Sequence, residues 1–320
     1  VRQAFISLSI ATVLSSVACD EGSASSCPSG QISCNGACVT YSYCPITTTT
    51  VGGSTAAPVT TLPVDTGPIS SPDCTDTATS SGKFSNAYGG TTIATAGGGK
   101  SYYLHTNWWN IYDGQVVSYQ GLSFSVANSK NATVEASDNN PMGYPSMFIG
   151  SYSGHTTQGS NLPKLVSSLT TVPTVFSTNA AEKSIANHNA AYDVWFTDTS
   201  APLGSSDYSP PPGGAFLMVW LFKPTSRQPR GSIKKSNVTL PGIEGGWNVW
   251  VDNSKPPCIS YVSTSPRNGL AFDLNTFIKD SVTNNYGITS SMYLSIIFAG
   301  FEIWGGADGV QVKNFCAKVN

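Results

Sequence analysis

Glu302 lies in Ala299-Gly-Phe-Glu-Ile-Trp-Gly-Gly306, with Phe301 before it and Trp304 two residues after it, in a chain that holds only five glutamates. A lone carboxyl among aromatic rings suits carbohydrate chemistry. Indole and phenyl faces pack against the C–H faces of a sugar, and an apolar setting raises a carboxyl pKa so that the group keeps a proton to donate. Cleavage of a glycosidic bond usually needs a second carboxyl as well. It attacks the anomeric carbon at a carboxyl separation of about 5–5.5 Å, or activates a water at about 6.5–9.5 Å. Strand side chains alternate, so Gly300, Glu302 and Trp304 share one side while Phe301 and Ile303 share the other. The same rule puts Phe216, Met218 and Trp220 on one face of their strand, within a stretch from Tyr208 to Ile243 that holds no Asp or Glu.

The elements that must position these residues read as strands. Tyr102–His105, Gly121–Val126, Met147–Gly150, Ala190–Phe196, Phe216–Phe222, Trp247–Val251 and Cys258–Val262 are short runs rich in β-branched and aromatic residues, bounded by Gly, Pro and Asn. Many short strands punctuated in this way indicate a sandwich or jelly roll. One helix is expected over Phe272–Val282, where Phe272, Phe277, Ile278 and Val282 roughly share a face. Gly97-Gly-Gly-Lys100 lacks the spacing and context of a phosphate loop and reads as a hairpin turn. His105, His155 and His188 lie in separate segments without a cysteine or carboxylate at ligand spacing, so no metal and no cofactor is expected.

Several segments, in order, carry a resemblance to a known family. They are Tyr102-Tyr-Leu-His-Thr-Asn-Trp-Trp109, Tyr144-Pro-Ser-Met-Phe-Ile-Gly150, Asn161-Leu-Pro, Asn189-Ala-Ala-Tyr-Asp-Val-Trp195, Met218-Val-Trp-Leu221, Gln228-Pro-Arg-Gly-Ser232, Trp247-Asn-Val-Trp250 and Phe301-Glu-Ile-Trp304. Together they resemble the family 12 glycoside hydrolases, endo-acting β-1,4-glucanases. The resemblance implies an all-β, concanavalin-like β-jelly roll sandwich with one short helix over residues 73–320. It makes Glu302 the general acid/base and places Phe216 where the family has its nucleophilic glutamate. It gives Asp193 the part of a supporting carboxylate, or of a base acting on water in an inverting reaction. Asn107, Trp109, Met218, Trp220, Trp247 and Trp304 are the expected substrate contacts, with Trp109 the leading candidate for stacking and Trp108 turned the other way.

The rest of the chain bounds where such a domain works. Only 11% of residues are charged and the net charge is -2, with no Lys/Arg cluster, which gives no electrostatic reason to expect nucleic acid or an anionic membrane as partner. Val1-Arg-Gln followed by the apolar run Ala4–Ala18 fits a secretory signal over residues 1–19. Leu14-Ser-Ser-Val-Ala-Cys19 loosely resembles a bacterial lipobox, so either a lipid anchor at Cys19 or plain cleavage nearby is open, and the expected location is secreted or cell-surface. Cys27, Cys34, Cys38 and Cys44 suit a small two-disulfide module over residues 20–44. Residues 45–72 are a Thr/Pro/Gly/Ser stretch with too few large apolar side chains to fold, and they read as a disordered linker. Cys74, Cys258 and Cys316 are an odd set of which at most two can pair.

Two functions fit this sequence: an exported hydrolase of β-1,4-linked glucan with a rebuilt carboxyl pair, or a non-catalytic relative that binds cellulose, xyloglucan or a similar polysaccharide, acting as a monomer. A second carboxylate facing Glu302 separates them, and Asp207, Glu244 and Asp252 are further candidates for that role.

Overall fold

The structure is a computed structural model. It describes residues 73–109, 114–129, 140–183, 187–225 and 227–320, together with the backbone of two short strands, 32–34 and 37–39. The chain divides into two units, Val1–Leu62 and Pro63–Asn320. In the first, β1 (Ile32–Cys34) and β2 (Ala37–Val39) pair antiparallel. The leader, Cys19, the pairing of the four clustered cysteines and the linker lie outside the described residues.

The second unit is a sandwich. Its strands are β3 (Ser81–Phe84), β4 (Gly90–Ala94), β5 (Ser101–His105), β6 (Val116–Gln120), β7 (Ser123–Ala127), β8 (Ser146–Tyr152), β9 (His155–Thr156), β10 (Lys164–Leu165) and β11 (Pro173–Thr178), then β12 (Ala191–Thr197), β13 (Ala215–Trp220), β14 (Ser232–Leu240), β15 (Ile243–Asp252), β16 (Cys258–Ser263), β17 (Gly269–Asp273), β18 (Tyr293–Gly300) and β19 (Gln311–Ala317). The larger sheet runs β14-β15-β16-β13-β12-β18-β8-β5-β4, with β9 on β8 and β10 on β18; the smaller runs β17-β11-β19-β7-β6-β3. All pairings are antiparallel except β13 with β16. This is the expected jelly roll, and Gly97–Lys100 closes the β4–β5 hairpin.

Alternation along the larger sheet makes two different faces. In β12, Tyr192, Val194 and Phe196 are buried in the core between the sheets, among Phe124, Phe176 and Phe315. Their neighbours Ala191, Asp193 and Trp195 point the opposite way. That outer face is not left to water. Tyr103, Phe148, Trp195 and Phe298 form one aromatic cluster on it, and Trp220, Trp304 and Val262 form another.

The one α-helix among the described residues, α1 (Asn275–Thr283), starts three residues later than the sequence suggests. Phe272 belongs to β17, where it pairs with Thr174 of β11 and alternates with half-buried neighbours. The carboxylate of Asp273 ends that strand by accepting bonds from the backbone N–H of Asn275 at 3.0 Å and of Val172 at 2.6 Å. Phe277 then seats the helix, with its ring edge-on to Trp247, Tyr261 and Phe272 at centroid distances of 4.9–5.3 Å.

Cys74 pairs with Cys316, and Cys258 is free and buried. The disulfide ties the segment ahead of β3 to β19, across 242 positions of sequence. A loop of that length leaves the unfolded chain much freedom to lose, so replacing both cysteines by alanine should cost about 2–5 kcal/mol. Guanidinium unfolding of the double variant checks this; an unchanged midpoint would mean that the bridge does not hold the sandwich.

Candidate active site

The outer face of the larger sheet is concave and carries a cavity of about 750 Å³. One cross-strand row forms much of its floor: Met218 pairs with Asp193, Asp193 with Phe298, Phe298 with Phe148, and Phe148 with Tyr103. Met218, Asp193 and Phe298 line the cavity directly, joined by Trp195, Tyr144 and Glu302. The rim is aromatic. Tyr88, Trp109 and Tyr208 remain 72%, 39% and 66% exposed and all three border this cavity.

Glu302 follows the end of β18, and a clasp with Asn189 fixes it. The Asn189 backbone N–H donates to the Glu302 carbonyl at 3.0 Å, and the Glu302 N–H donates to Asn189 Oδ1 at 2.9 Å. Asn189 Nδ2 donates to Glu302 Oε2 at 2.5 Å. Asn189 is itself fully buried, so the carboxyl is held by a side chain that has nowhere else to go. Burial pushes the Glu302 pKa up to about 8; the bond from Asn189 opposes the shift, and the nearby charge of Asp193 adds to it.

Asp193 is the second carboxyl of the cavity. Its Oδ2 accepts from Trp195 Nε1 at 2.8 Å, while Oδ1 is buried without a hydrogen-bond partner in the protein. Burial raises its pKa to about 7 against the pull of the Trp195 bond. Burial thus holds both carboxyls of the cavity toward the protonated form relative to a carboxyl in water.

The other sequence candidates are placed less uniformly. Asn107, Trp109 and Met218 line the cavity, and Trp108 is buried in the core. Phe216 lies on the same face as Met218 but outside the cavity lining. Its ring packs nearly perpendicular to Trp195 at 5.6 Å, with the Arg230 guanidinium 6.0 Å away over its face. Three tryptophans expected to touch substrate, Trp220, Trp247 and Trp304, are not among the residues that line the cavity. Trp247 faces the inter-sheet core against Phe277, because β15 pairs with β16 in the register that turns Trp250 outward instead. Trp220 and Trp304 do lie on the outer face, but they pack against each other at 6.2 Å and are 2% exposed, which makes them a support beneath the cleft.

The further carboxylate candidates fall elsewhere. Asp207 borders a separate depression and accepts from the Gly204 N–H at 2.6 Å. Asp252 pairs with Arg230 at 2.7 Å, and Glu244 is exposed near the start of β15. Among the described residues lining the main cavity, Asp193 and Glu302 are the carboxylates.

Sequence reasoning missed Trp195, Tyr144, Tyr152, Phe298, Tyr88 and Tyr208. Trp195 was within reach, since it lies two residues from Asp193 and so shares its face. Tyr88 and Tyr208 sit on loops, where no periodicity points to a cleft.

The model of glycosyl hydrolase family 12 matches residues 100–320. The chain belongs to this family. It is similar to the probable cellulase Cel12b of Mycobacterium tuberculosis, 31% identical over 163 residues that make up 51% of this chain and 99% of the relative. Endoglucanase S of Pectobacterium parmentieri is 26% identical over 238 residues, 69% of this chain and 83% of that protein. The xyloglucan-specific endo-β-1,4-glucanase A of Emericella nidulans is 29% identical, over 48% of this chain and 61% of its own length. Among solved structures, endoglucanase Cel12A from Rhodothermus marinus superposes with a TM-score of 0.64 at 29% identity, covering 75% of this chain and 99% of that one. In this family 12 member, then, the concave face of the larger sheet holds two carboxyl groups whose acidities are both weakened by burial.

Two measurements test this arrangement. The folded protein holds a proton on Glu302 up to about pH 8, whereas the unfolded chain releases it near the ordinary value of 4.5. Folding thus binds protons in that window, and stability falls as pH rises through it; Asp193 acts in the same sense up to about pH 7. Glu302→Gln should flatten the decline of melting temperature between pH 5 and 8, and an unaltered slope would show that Glu302 ionises freely in the fold. Separately, Trp109→Ala should weaken glucan binding with little change in melting temperature. Trp247→Ala should instead cost about 3–5 kcal/mol of stability; the opposite pattern in affinity gels and thermal melts would reverse the two assignments.

Proposed function

We propose that this family 12 member binds β-1,4-linked glucan along its aromatic cleft and does not cleave it by the covalent two-step route. The observation that carries the reading is the placement of exposed aromatic surface. Of the four large apolar side chains left exposed among the described residues, three (Tyr88, Trp109 and Tyr208) border the cavity that holds Glu302. Exposed rings gathered around one concavity are what stacking on successive sugar rings requires, whereas scattered ones would carry no such meaning. The relatives' names, cellulase, endoglucanase and xyloglucan-specific endo-β-1,4-glucanase, support a glucan as the ligand.

The argument against covalent catalysis rests on Phe216. A phenyl ring has no lone pair to attack an anomeric carbon and no charge to hold a developing oxocarbenium ion. Here it packs against Trp195, outside the cavity lining, at the position where the family pattern expects a nucleophile.

A second reading, hydrolysis with inversion, is favoured by Asp193. Its Oδ1 has no hydrogen-bond partner in the protein, and it lines the same cavity as Glu302. In that scheme Asp193 takes a proton from a water as the water oxygen bonds to the anomeric carbon. Glu302 gives its proton to the departing glycosidic oxygen as that bond breaks. We place this activity outside the cell, supported by the Cys74–Cys316 disulfide and by the leader-like first residues.

Reducing-end release from soluble β-1,4-glucan separates the readings. Binding without product, and a gain of product on Phe216→Glu, is the expected result. Product that disappears in Glu302→Gln and carries inverted anomeric configuration by NMR would establish the Asp193 route. Product with retained configuration would overturn both.

A further inference from the structure

The outermost strand of the larger sheet, β14, carries Asn237-Val-Thr239, an asparagine with a threonine two residues on and no proline between. This is the acceptor pattern for N-linked oligosaccharide in exported chains. A three-residue pattern is weak alone, so the fold must show that a bulky sugar can stand there. β14 pairs on one side only, with β15. Lys235 pairs with Val249 and Val238 with Trp247, so three steps on β14 meet two on β15, and the extra residue makes a bulge. Asn237 lies in that bulge at a φ of 51°, a left-handed backbone that asparagine tolerates better than most residues. Its N–H donates to Asn248 Oδ1 at 2.9 Å, which pins the bulge. Val238 packs against the inter-sheet core, whereas Asn237 and Thr239 on either side of it are exposed. Alternation thus turns the amide and the hydroxyl away from the core together. Across the ladder Gly246 leaves room for the amide, since a Cβ there would collide with Asn237 Oδ1. No residue of β14 lines the cleft, so a sugar on this strand stands clear of it.

We propose that Asn237 is an N-glycosylation site, modified while the chain is being exported. The donor is an oligosaccharide linked to a polyprenyl diphosphate, presented by a membrane-bound transferase. Asn237 Nδ2 forms a bond to the anomeric carbon of the first sugar as the bond from that carbon to the diphosphate oxygen breaks. The diphosphate leaves with the electron pair, and the amide releases one of its two protons, so nothing is oxidised or reduced. Strand order keeps the acceptor open at the right time. β18, which joins the two halves of the larger sheet, follows β14 in the chain, so the sheet cannot close before Asn237 has been synthesised and passed on. The Cys74–Cys316 disulfide fits an oxidising export compartment, where this transfer takes place. The proposal is independent of what the cleft does with its glucan.

Secretion of the full chain from yeast, followed by mass spectrometry, tests this. A second Asn-x-Thr, Asn131-Ala-Thr133, lies outside the described residues, so Asn131→Gln serves as the background. That chain should exceed its polypeptide mass, and peptide N-glycosidase should return it there, leaving an aspartate in place of Asn237 in the mapped peptide. Thr239→Val keeps the side chain's shape without its hydroxyl, and Asn237→Asp suits the same left-handed backbone; each should abolish the mass shift, while Thr239→Ser should retain it. Chain held back in the endoplasmic reticulum is read in the same way, so a variant that folds poorly still gives an answer. An unmodified Asn237 in the Asn131→Gln chain would overturn the proposal. So would a glycosidase-sensitive shift that survives Thr239→Val or disappears in Thr239→Ser.

Discussion

The central strands of the larger sheet must satisfy two apolar faces at once, and the rest of the domain follows from that constraint. β12 and β18 lie in the middle of the sheet, where a shift of one residue would exchange every side chain between faces. With Tyr192, Val194 and Phe196 committed to the core, Asp193 and Trp195 are committed to the concave side. The same register sets Met218 beside Asp193 and brings Asn189 to Glu302. The carboxyl pair is thus placed by hydrophobic packing on the reverse of the sheet, and hydrogen bonds only refine it.

This division of labour explains the chemistry of the cleft. A sheet that buries both faces can keep a carboxyl there only by weakening its acidity or by supplying donors. Glu302 receives one side-chain donor, from Asn189; Asp193 receives one, from Trp195, and leaves an oxygen unmatched. Phe216 fits the aromatic surroundings: it packs against a cluster that contains Trp195 and Phe298, with the Arg230 guanidinium over its face.

Much of this could be read from the chain because alternation is a local signal. The strands around Tyr102, Met147, Tyr192, Met218, Trp247 and Ile259 stand where β-branched and aromatic runs announced them. β14 gave no such signal: it is an edge strand, exposed along most of its length, and its Lys234 and Lys235 guard an open edge without any apolar stripe. The helix boundary slipped because Phe272 fits a helical face and a strand face equally well, and only pairing with β11 decides. Which of Trp247 and Trp250 faces outward was likewise undetermined, since it depends on the register with β16, a contact between segments. The aromatic loops at the rim are the least legible part, because a loop residue's direction is set by the whole fold.

Strand order bears on how such a chain reaches its native state. β18 is the hub of the larger sheet, between β12 and β8, and β19 occupies the interior of the smaller, between β11 and β7, although both come from the last thirty or so residues. A chain emerging from its N-terminus presents β8 and β12 long before the strand that must separate them. The two halves of each sheet then wait with unpaired edges, and pairing across such distances is slow. Folding of this domain is therefore an event of the completed chain, and an intermediate lacking its C-terminal strands offers open sheet edges to chaperones, proteases and other copies of itself.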